Sequence, residues 1–417
     1  MAEVAQAKRI LRLSDWRRLW LATIASSLGD GMVESAALPL LAATLTRDPV
    51  LISGIFFAAR LPWLFLGLFS GAIVDRGDRK RIMVRADLIR IVIFGVLGVL
   101  VLAKAATIPM LFAAAFLSGL AQTFFDNASI AAIPAMVAPE NLQRVNGQIF
   151  GAQMIMLEFV GPIIGSLLYG PAAWSPFFLD AGSFAVSALL IFTLAVRLSP
   201  RQTPSANNRT SIREDVFDGV RWLWHHPVVR TLAVMVGILA FVAQAILAIL
   251  VLFALHVLHL STYGYGLLLG AAGVGSLAGN LLAPAISSLI GERRCLIASM
   301  LASGAAYLGI YLVGAPVVVG LLLAANGFGI ALWNVVTVSL RQVIVPSALA
   351  GRVNSVYRML AWGGLCLGSL AGGFIGHAAG LRAPFLLGGV VVILMVPIGV
   401  LLLRGMDPAR EQTKTLN

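Results

Sequence analysis

The stretch Arg144-Val145-Asn146 recurs as Arg352-Val353-Asn354, 208 residues further along the chain. The same offset holds for residues from one end of the chain to the other, which include Gly29 with Gly237, Gly119 with Gly327, Gly165 with Gly373, and Pro176-Phe177 with Pro384-Phe385. Because one offset fits all of them, the second half of the chain repeats the first with little net insertion.

Composition indicates that each repeat is a bundle of membrane-spanning helices. Of the 417 residues, 59% are hydrophobic and 12% are charged, whereas a soluble domain carries about 25% charged residues. A bilayer needs about 20 apolar residues for each span, and the chain has twelve long apolar stretches. We place the spans at 19–45, 51–74, 86–103, 109–133, 146–170, 176–196, 228–255, 264–289, 296–314, 317–345, 353–377 and 384–404.

The expected fold is therefore an all-α integral membrane protein, with twelve transmembrane helices in two pseudo-symmetric six-helix bundles. The first bundle is assigned to 1–196 and the second to 228–417. The polar segment between them, 197–227, is predicted to be a cytoplasmic linker. Its Ser211-Ile-Arg-Glu214 matches a capping box and predicts a short amphipathic helix on the membrane surface. Two parallel six-helix repeats with a site between them are typical of a rocking transporter.

The formal net charge of +12 is unevenly distributed. Basic residues concentrate before span 1, after span 2 and between the halves, so the positive-inside rule places both termini and the linker in the cytoplasm of a bacterial cell. We expect no nucleic-acid partner, because the chain has no separate soluble basic domain. Cys295 and Cys366 suggest neither a disulfide nor a metal site. The first apolar stretch is too long for a cleavable signal and is assigned to span 1.

The loop after span 2 contains the most specific motif, Gly71-Ala-Ile-Val-Asp75-Arg76-Gly77-Asp78-Arg79-Lys80-Arg81. It resembles the loop between spans 2 and 3 of the major facilitator superfamily, which has the form G-x-x-x-D-R-x-x-R-[KR]. The longer string from Gly71 to Ile89, with Arg60-Leu-Pro-Trp63 and Asp180-Ala-Gly-Ser-Phe184, is similar to the macrolide-efflux branch of drug exporters. The resemblance covers the whole chain and implies the major facilitator fold.

The resemblance also implies that this loop is a conformational latch made by Gly71, Asp75, Arg76, Arg79 and Lys80. Gly71 would let span 2 lie against span 11, and Asp75 would face the N-terminal end of that helix, where the helix dipole favours a carboxylate. The basic residues would bind the anionic lipids of the cytoplasmic leaflet. A solvated loop that only sets the topology is the alternative.

Ionisable side chains at membrane depth are costly and usually functional. Five acids are candidates for proton coupling or substrate contact, and all lie in the first half: Asp30 and Glu34 in span 1, Asp126 in span 4, Glu158 in span 5 and Asp180 near the outer end of span 6. Burial penalises the charged form of a carboxyl group, so such a group can take up and release protons as an antiporter requires. A hydrogen-bonded structural role is the alternative for each.

Arg60 lies near the middle of span 2, so it should have a carboxylate partner, which we expect on span 1. It either forms a structural ion pair, binds an anionic substrate or tunes an acid. A hydrophobic substrate site is an apolar pocket with a few polar anchors. The candidates for lining it are Asp180, Trp333, Asn334 and Trp362, and Asn334 occupies the position that the offset pairs with Asp126.

The chain departs from the drug-antiporter pattern in two places. Many such antiporters carry an arginine in span 4, but no basic residue lies between Lys104 and Arg144. In span 5 the motif Gly161-Pro162-x-x-Gly165 is present, but Ser166 replaces its last glycine and Leu157 replaces an earlier one. These differences leave the direction of transport open.

The sequence predicts a secondary transporter that exports amphipathic or lipophilic compounds in exchange for protons, as a monomer in the inner membrane among its lipids. The proton gradient would supply the energy with no cofactor and no metal, since no phosphate-cradling Walker loop is present. A carrier of a physiological cargo, such as a siderophore or a lysophospholipid, is the first alternative. A membrane enzyme or sensor is the second, and it would need a catalytic cluster or a soluble domain that the sequence does not contain.

Overall fold

The computed structural model describes residues 2–196, 198, 220–346 and 349–402, and within these ranges it does not describe the side chains of 2–13, 67–69, 72, 75, 139, 350 and 402. This part of the chain is almost entirely helical and contains no β-strand. The amphipathic helix predicted within the linker lies mostly outside the described residues, although residues 220–225 are helical.

Helices α1 to α6 follow the six predicted spans of the first repeat. They are α1 (Ala2–Met32, continuing through the π-helical segment Val33–Ala37 into Leu38–Leu45), α2 (Pro49–Arg76), α3 (Arg79–Leu102), α4 (Ile108–Met136), α5 (Leu142–Met154, the π-helical segment Ile155–Val160 and Gly161–Tyr169) and α6 (Ser175–Phe192). A short 3-10 turn, Pro139–Asn141, precedes α5.

Helices α7 to α12 follow the six predicted spans of the second repeat. They are α7 (Pro227–Leu252 with the π-helical segment Phe253–Val257), α8 (Thr262–Ile290), α9 (Glu292–Leu312), α10 (Pro316–Ile344), α11 (Ala350–Ala379) and α12 (Ala383–Leu402). The described residues thus confirm an all-α membrane fold.

Ten of the described helices are long and apolar enough to cross a membrane. Helices α1 and α3 are not among these ten, because charged residues interrupt their apolar sequence. Asp30 and Glu34 lie in α1, and Asp87 and Arg90 lie in α3. These two helices bring Asp30, Asp87 and Arg90 into the first bundle as buried charges.

Side-chain caps set the starts of α2 and α3. The Asp48 carboxylate accepts a 2.9 Å hydrogen bond from the Val50 N–H, and Pro49 occupies the first turn, where a missing N–H costs nothing. The Asp78 carboxylate caps α3 in the same way through the Arg81 N–H, at 3.2 Å. Asp78 belongs to the predicted latch motif, so one part of that motif has a direct structural role.

Glycines let equivalent helix pairs approach closely in both repeats. A Cβ atom at Gly161 of α5 would lie 2.7 Å from the Gly31 Cα of α1, and one at Gly368 of α11 would lie 2.8 Å from the Phe241 Cα of α7. These short distances mean that only glycine fits, and α5 packs on α1 as α11 packs on α7. By contrast, a Cβ atom at Gly71 would meet no heavy atom within 4 Å.

Contacts between Cα atoms divide the chain into two compact units. The first comprises the described residues of Met1–Pro204 together with Ala248–Gly270, and the second those of Ser205–Leu247 and Ala271–Asn417. The segment Ala248–Gly270, which the sequence assigns to the second bundle, thus belongs to the first unit. It contributes the end of α7 and the start of α8.

Candidate functional site

A buried arginine on α3 is the centre of a charged cluster in the first unit. Arg90 is fully buried, and its Nη2 donates a 2.6 Å hydrogen bond to Oδ1 of Asp87, one turn earlier on the same helix. Its Nη1 lies 3.5 Å from Oδ2 of Asp30 on α1. A single guanidinium group thus pairs with carboxylates from two helices.

Neighbouring side chains hold Arg90 and Asp87 in place. The Arg90 guanidinium carbon lies 4.1 Å from the ring centroid of Phe184 and 4.8 Å from that of Phe125, so the group is packed against two aromatic rings. The Ser187 hydroxyl donates a 2.7 Å hydrogen bond to Oδ2 of Asp87. Residues from α4 and α6 therefore fix the geometry of the α3 pair, which is a condition for a precise site.

Two more carboxyl groups act on this cluster. Asp180 of α6 is fully buried and interacts electrostatically with Arg90 and Asp30. Asp126 of α4, which is half-buried, also interacts with Arg90. A Cβ atom at Gly29 of α1 would collide with the Asp180 carboxylate, so glycine is what lets α1 pass so close. Asp180 therefore belongs to the charge cluster.

Glu34 and Arg60 form the second part of the site. They interact electrostatically, and Glu34 lies on α1, the helix on which the sequence predicts a carboxylate partner for Arg60. Both line a cavity of about 20 Å³, together with Ser118 of α4 and Phe94 of α3. A cavity of this volume has room for about one water molecule. Glu34 also interacts with Arg90 and Asp30, so the two parts of the site form one electrostatic network.

The network contains more acidic than basic groups. Its carboxyl groups number five and its guanidinium groups two: Asp30, Glu34, Asp87, Asp126 and Asp180 against Arg60 and Arg90. Among the described residues, Oδ1 of Asp30 and Oδ2 of Asp180 have no hydrogen-bond partner. Unpaired buried charge is strongly unfavourable. An arrangement of this kind is therefore chemically suited to binding protons.

Two π-helical segments carry acidic candidates. Glu34 lies in Val33–Ala37 of α1 and Glu158 in Ile155–Val160 of α5. Such segments are rare and often occur at functional sites. A Cβ atom at Gly31 would lie 2.7 Å from the Met156 carbonyl oxygen, so α1 and α5 meet closely beside them. Glu158 is exposed and, among the described residues, forms no salt bridge.

The remaining sequence candidates are more scattered. Trp333 is buried and Asn334 exposed on α10, while Trp362 is half-buried on α11. Of the predicted latch, the Asp75 side chain lies outside the described part of the structure, and Arg76 is exposed.

Lys80, another latch residue, contacts the end of α6. Its Nζ donates a 2.8 Å hydrogen bond to the Leu194 carbonyl oxygen and lies 5.4 Å from the Phe192 ring centroid. The backbone N–H of Arg79 donates to the Leu198 carbonyl oxygen at 3.4 Å. The basic half of the motif therefore anchors the chain that leads into the linker.

Sequence reasoning missed Asp87 and Arg90. Both fall inside the predicted span 86–103, but they directly follow the basic loop and resemble its continuation. The available signal was their spacing, because an acid and an arginine three residues apart lie on one helix face. The drug-antiporter pattern places an arginine in span 4, whereas this chain carries its buried arginine, Arg90, in span 3.

Two repeated bundles with a buried charge network are typical of a membrane transporter. A family model described as Transmembrane secretion effector matches residues 9–415. The chain belongs to this family of the major facilitator superfamily.

Its curated relatives are of similar length. The multidrug efflux pump Tap of Mycolicibacterium fortuitum is 28% identical over 403 residues, which are 94% of this chain and 96% of the relative. An uncharacterized transporter of the superfamily from Mycobacterium tuberculosis is 26% identical over 376 residues, 85% and 83% of the two chains. The enterobactin exporter EntS of Citrobacter koseri is 25% identical over 352 residues, 82% and 80% of the two chains.

Solved structures share the fold. The nucleoside transporter NupG has a TM-score of 0.72 at 12% identity, with 94% of this chain and 99% of that chain covered. A bacterial homolog of the human lysosomal transporter Spinster, in an inward-facing and unoccupied conformation, has a TM-score of 0.70 at 14% identity, with 94% and 97% covered. At these identities the likeness shows the fold alone.

Proposed function

We propose that the protein is a proton-coupled exporter of small amphipathic or lipophilic compounds in the bacterial cytoplasmic membrane. Its energy comes from the proton gradient without a cofactor, and both termini lie in the cytoplasm. The uneven placement of basic residues supports this orientation. The relationship to a multidrug efflux pump over nearly the whole chain supports the substrate class.

The observation that carries the proposal is the excess of carboxyl groups in the first unit. Five carboxyl groups interact with two guanidinium groups among packed helices, and the central pair is completely enclosed. If all were ionised, the network would carry three more negative than positive charges, and burial makes such an excess unfavourable. Proton binding removes that cost, so the network holds protons in one state and releases them in another.

Asp30 is the principal proton carrier in this account. Its Oδ2 faces Arg90, while its Oδ1 accepts no hydrogen bond from the described residues and can hold a proton. Protonated Asp30 is attracted less strongly to Arg90, which keeps its short hydrogen bond to Asp87. Proton uptake therefore loosens a contact between α1 and α3. Glu34 and Arg60 behave in the same way between α1 and α2.

A siderophore exporter is the second candidate. It is favoured by the 25% identity to an enterobactin exporter over most of the chain. Such a cargo carries oxygen-rich polar groups and would be recognised by cationic side chains. Arg60 of the first unit is a candidate for binding such a cargo.

Everted membrane vesicles with an acidified lumen and a pH-sensitive dye test the proposal. Macrolides, tetracyclines, lipophilic dyes, siderophores and lysolipids are added one at a time, and vesicles without the protein are the control. Proton release on adding one compound supports antiport and names its substrate class. Uptake of a labelled compound with no proton movement contradicts proton coupling and assigns the carboxyl groups a structural role.

A further inference from the structure

A tyrosine from the second repeat holds the π-helical segment of α1. Tyr265 of α8 is fully buried, and its hydroxyl donates a 3.0 Å hydrogen bond to the Ser35 carbonyl oxygen. Ser35 lies in Val33–Ala37, directly after Glu34. Both partners belong to the first compact unit, because that unit includes Ala248–Gly270.

The Ser35 carbonyl lacks its α-helical donor because of the local sequence. In an α-helix this carbonyl would accept a hydrogen bond from the N–H of residue 39. Residue 39 is proline, which has no N–H. The Tyr265 hydroxyl supplies an external donor at this point. The residue that the 208-residue offset pairs with Tyr265 is Phe57, so only the second repeat carries the hydroxyl.

The start of α8 is also packed closely on α5. A Cβ atom at Gly266 would lie 2.5 Å from both Cβ and Oγ of Ser166, and one at Gly270 would lie 2.7 Å from Cδ1 of Ile163. Ser166 is only 1% exposed as a result. It is the residue that replaces the last glycine of the drug-antiporter pattern. Residues 262–270 therefore close over α1 and α5 at the helix ends opposite the linker.

We propose that Tyr265 is a positioning residue for transport, whose hydroxyl holds the proline-interrupted segment of α1 next to Glu34 and keeps residues 262–270 closed against α1 and α5. This inference rests on the proposed function in one respect, which is that opening of this contact is a step of transport. Breaking the Tyr265–Ser35 bond releases α8 from α1, so Ser166 becomes accessible.

Labelling of a Ser166→Cys variant measures that release. The protein is reconstituted in liposomes, and a membrane-impermeant maleimide is added outside, with the label at position 166 quantified by peptide mass. Cys295 and Cys366 are both buried and are resolved from it by the same measurement. Adding Tyr265→Phe, which keeps the ring, raises the labelling rate roughly fivefold, the factor that corresponds to a hydrogen bond of about 1 kcal/mol. Tyr263→Phe is the matched control, because Tyr263 is exposed on the same helix, and it leaves the rate unchanged.

An unchanged rate in the Tyr265→Phe variant overturns the proposal. If that variant does not accumulate, Gly266→Ala replaces it, because the added methyl group must push α8 away from Ser166. Its control is Gly182→Ala on α6, where a Cβ atom meets nothing within 4 Å. A higher labelling rate in Gly266→Ala but not in Gly182→Ala supports the closed contact. An unchanged rate in Gly266→Ala overturns it.

The labelling needs neither substrate nor proton gradient, so the two proposals fail separately. Faster labelling of Tyr265→Phe in a protein that moves no protons keeps the closing role and contradicts the proposed coupling. If proton-coupled export is normal and Tyr265→Phe leaves the labelling rate unchanged, the proposed coupling is kept and the closing role of Tyr265 is contradicted.

Discussion

Nη1 of Arg90 on α3 lies 3.5 Å from Oδ2 of Asp30 on α1, and neither side chain is more than 5% exposed. Helix α3 begins at Arg79, inside the basic loop motif, and reaches Arg90 three turns later. One helix therefore connects the loop, whose Lys80 anchors the end of α6, to the buried charge network. A shift of α3 that follows proton binding at Asp30 would reach the loop directly.

Arg90→Met should lower the free energy of unfolding by about 3–5 kcal/mol, because Asp87 and Asp30 would stay buried without their cation. Thermal unfolding in detergent measures the change. Arg85→Met on the same helix is the control, since Arg85 is exposed and its loss should cost less than about 0.5 kcal/mol. Equal melting temperatures for the two variants would show that the Arg90 pairs contribute nothing to stability.

Gly165→Ala should destabilise the protein by about 1–3 kcal/mol, because the new Cβ atom would lie 2.7 Å from the Met32 Cα and force α5 away from α1. Gly71→Ala is the matched comparison and should be neutral or stabilising by up to about 1 kcal/mol, since its Cβ atom meets open space in a helix. Thermal unfolding again measures both. If Gly71 were the tightly packed glycine, Gly71→Ala would destabilise the protein more than Gly165→Ala.

Asp15→Ala should cost about 1–3 kcal/mol. The buried Asp15 carboxylate accepts hydrogen bonds from the N–H groups of Ala195 at 3.1 Å and Val196 at 2.9 Å, and alanine would leave both donors without this acceptor. Glu140→Ala, at an exposed site, is the control for the loss of an acid. A melting temperature as high as that of the control would mean that water replaces the carboxylate at no cost.

Asp75→Asn should leave insertion and folding intact but reduce transport, if the loop is the latch that the family resemblance implies. Asp78→Asn is a close control, because asparagine can still cap the start of α3 as Asp78 does. Export by cells at matched protein levels is the measurement. Transport at the wild-type rate by Asp75→Asn would remove the latch from the account.

The sequence predicted the elements that depend on local patterns and on the repeat. Apolar length predicted the helices, and the offset paired α5 with α11 as equivalent helices of the two repeats. The sequence did not predict that α1 begins at Ala2 and not at residue 19. Hydropathy identifies the residues that lie in the membrane, and a helix can extend beyond them. Polar residues such as Lys8 and Arg12 continue a helix that has already left the apolar region.

The site was predicted only in part, because the packing of the helices determines which charged side chains come into contact. The sequence identified Asp30, Glu34 and Arg60 by their depth in apolar stretches. It could not show that Arg90 joins Asp30 to Asp87, since that contact depends on how α1 and α3 pack. The hydrogen bond from Tyr265 to Ser35 joins residues of the two repeats. Pro39 is the one feature of the local sequence that hints at it.

Substrate-driven proton movement in everted vesicles that contain the Asp30→Asn variant tests the central claim most directly. The wild-type protein and the exposed Glu140→Gln variant are measured beside it, at equal protein levels and with a compound that the wild type exports. The account predicts that Asp30→Asn abolishes proton release while the other two proteins keep it. Undiminished proton release by Asp30→Asn would contradict the claim that the Arg90-centred network couples protons to export.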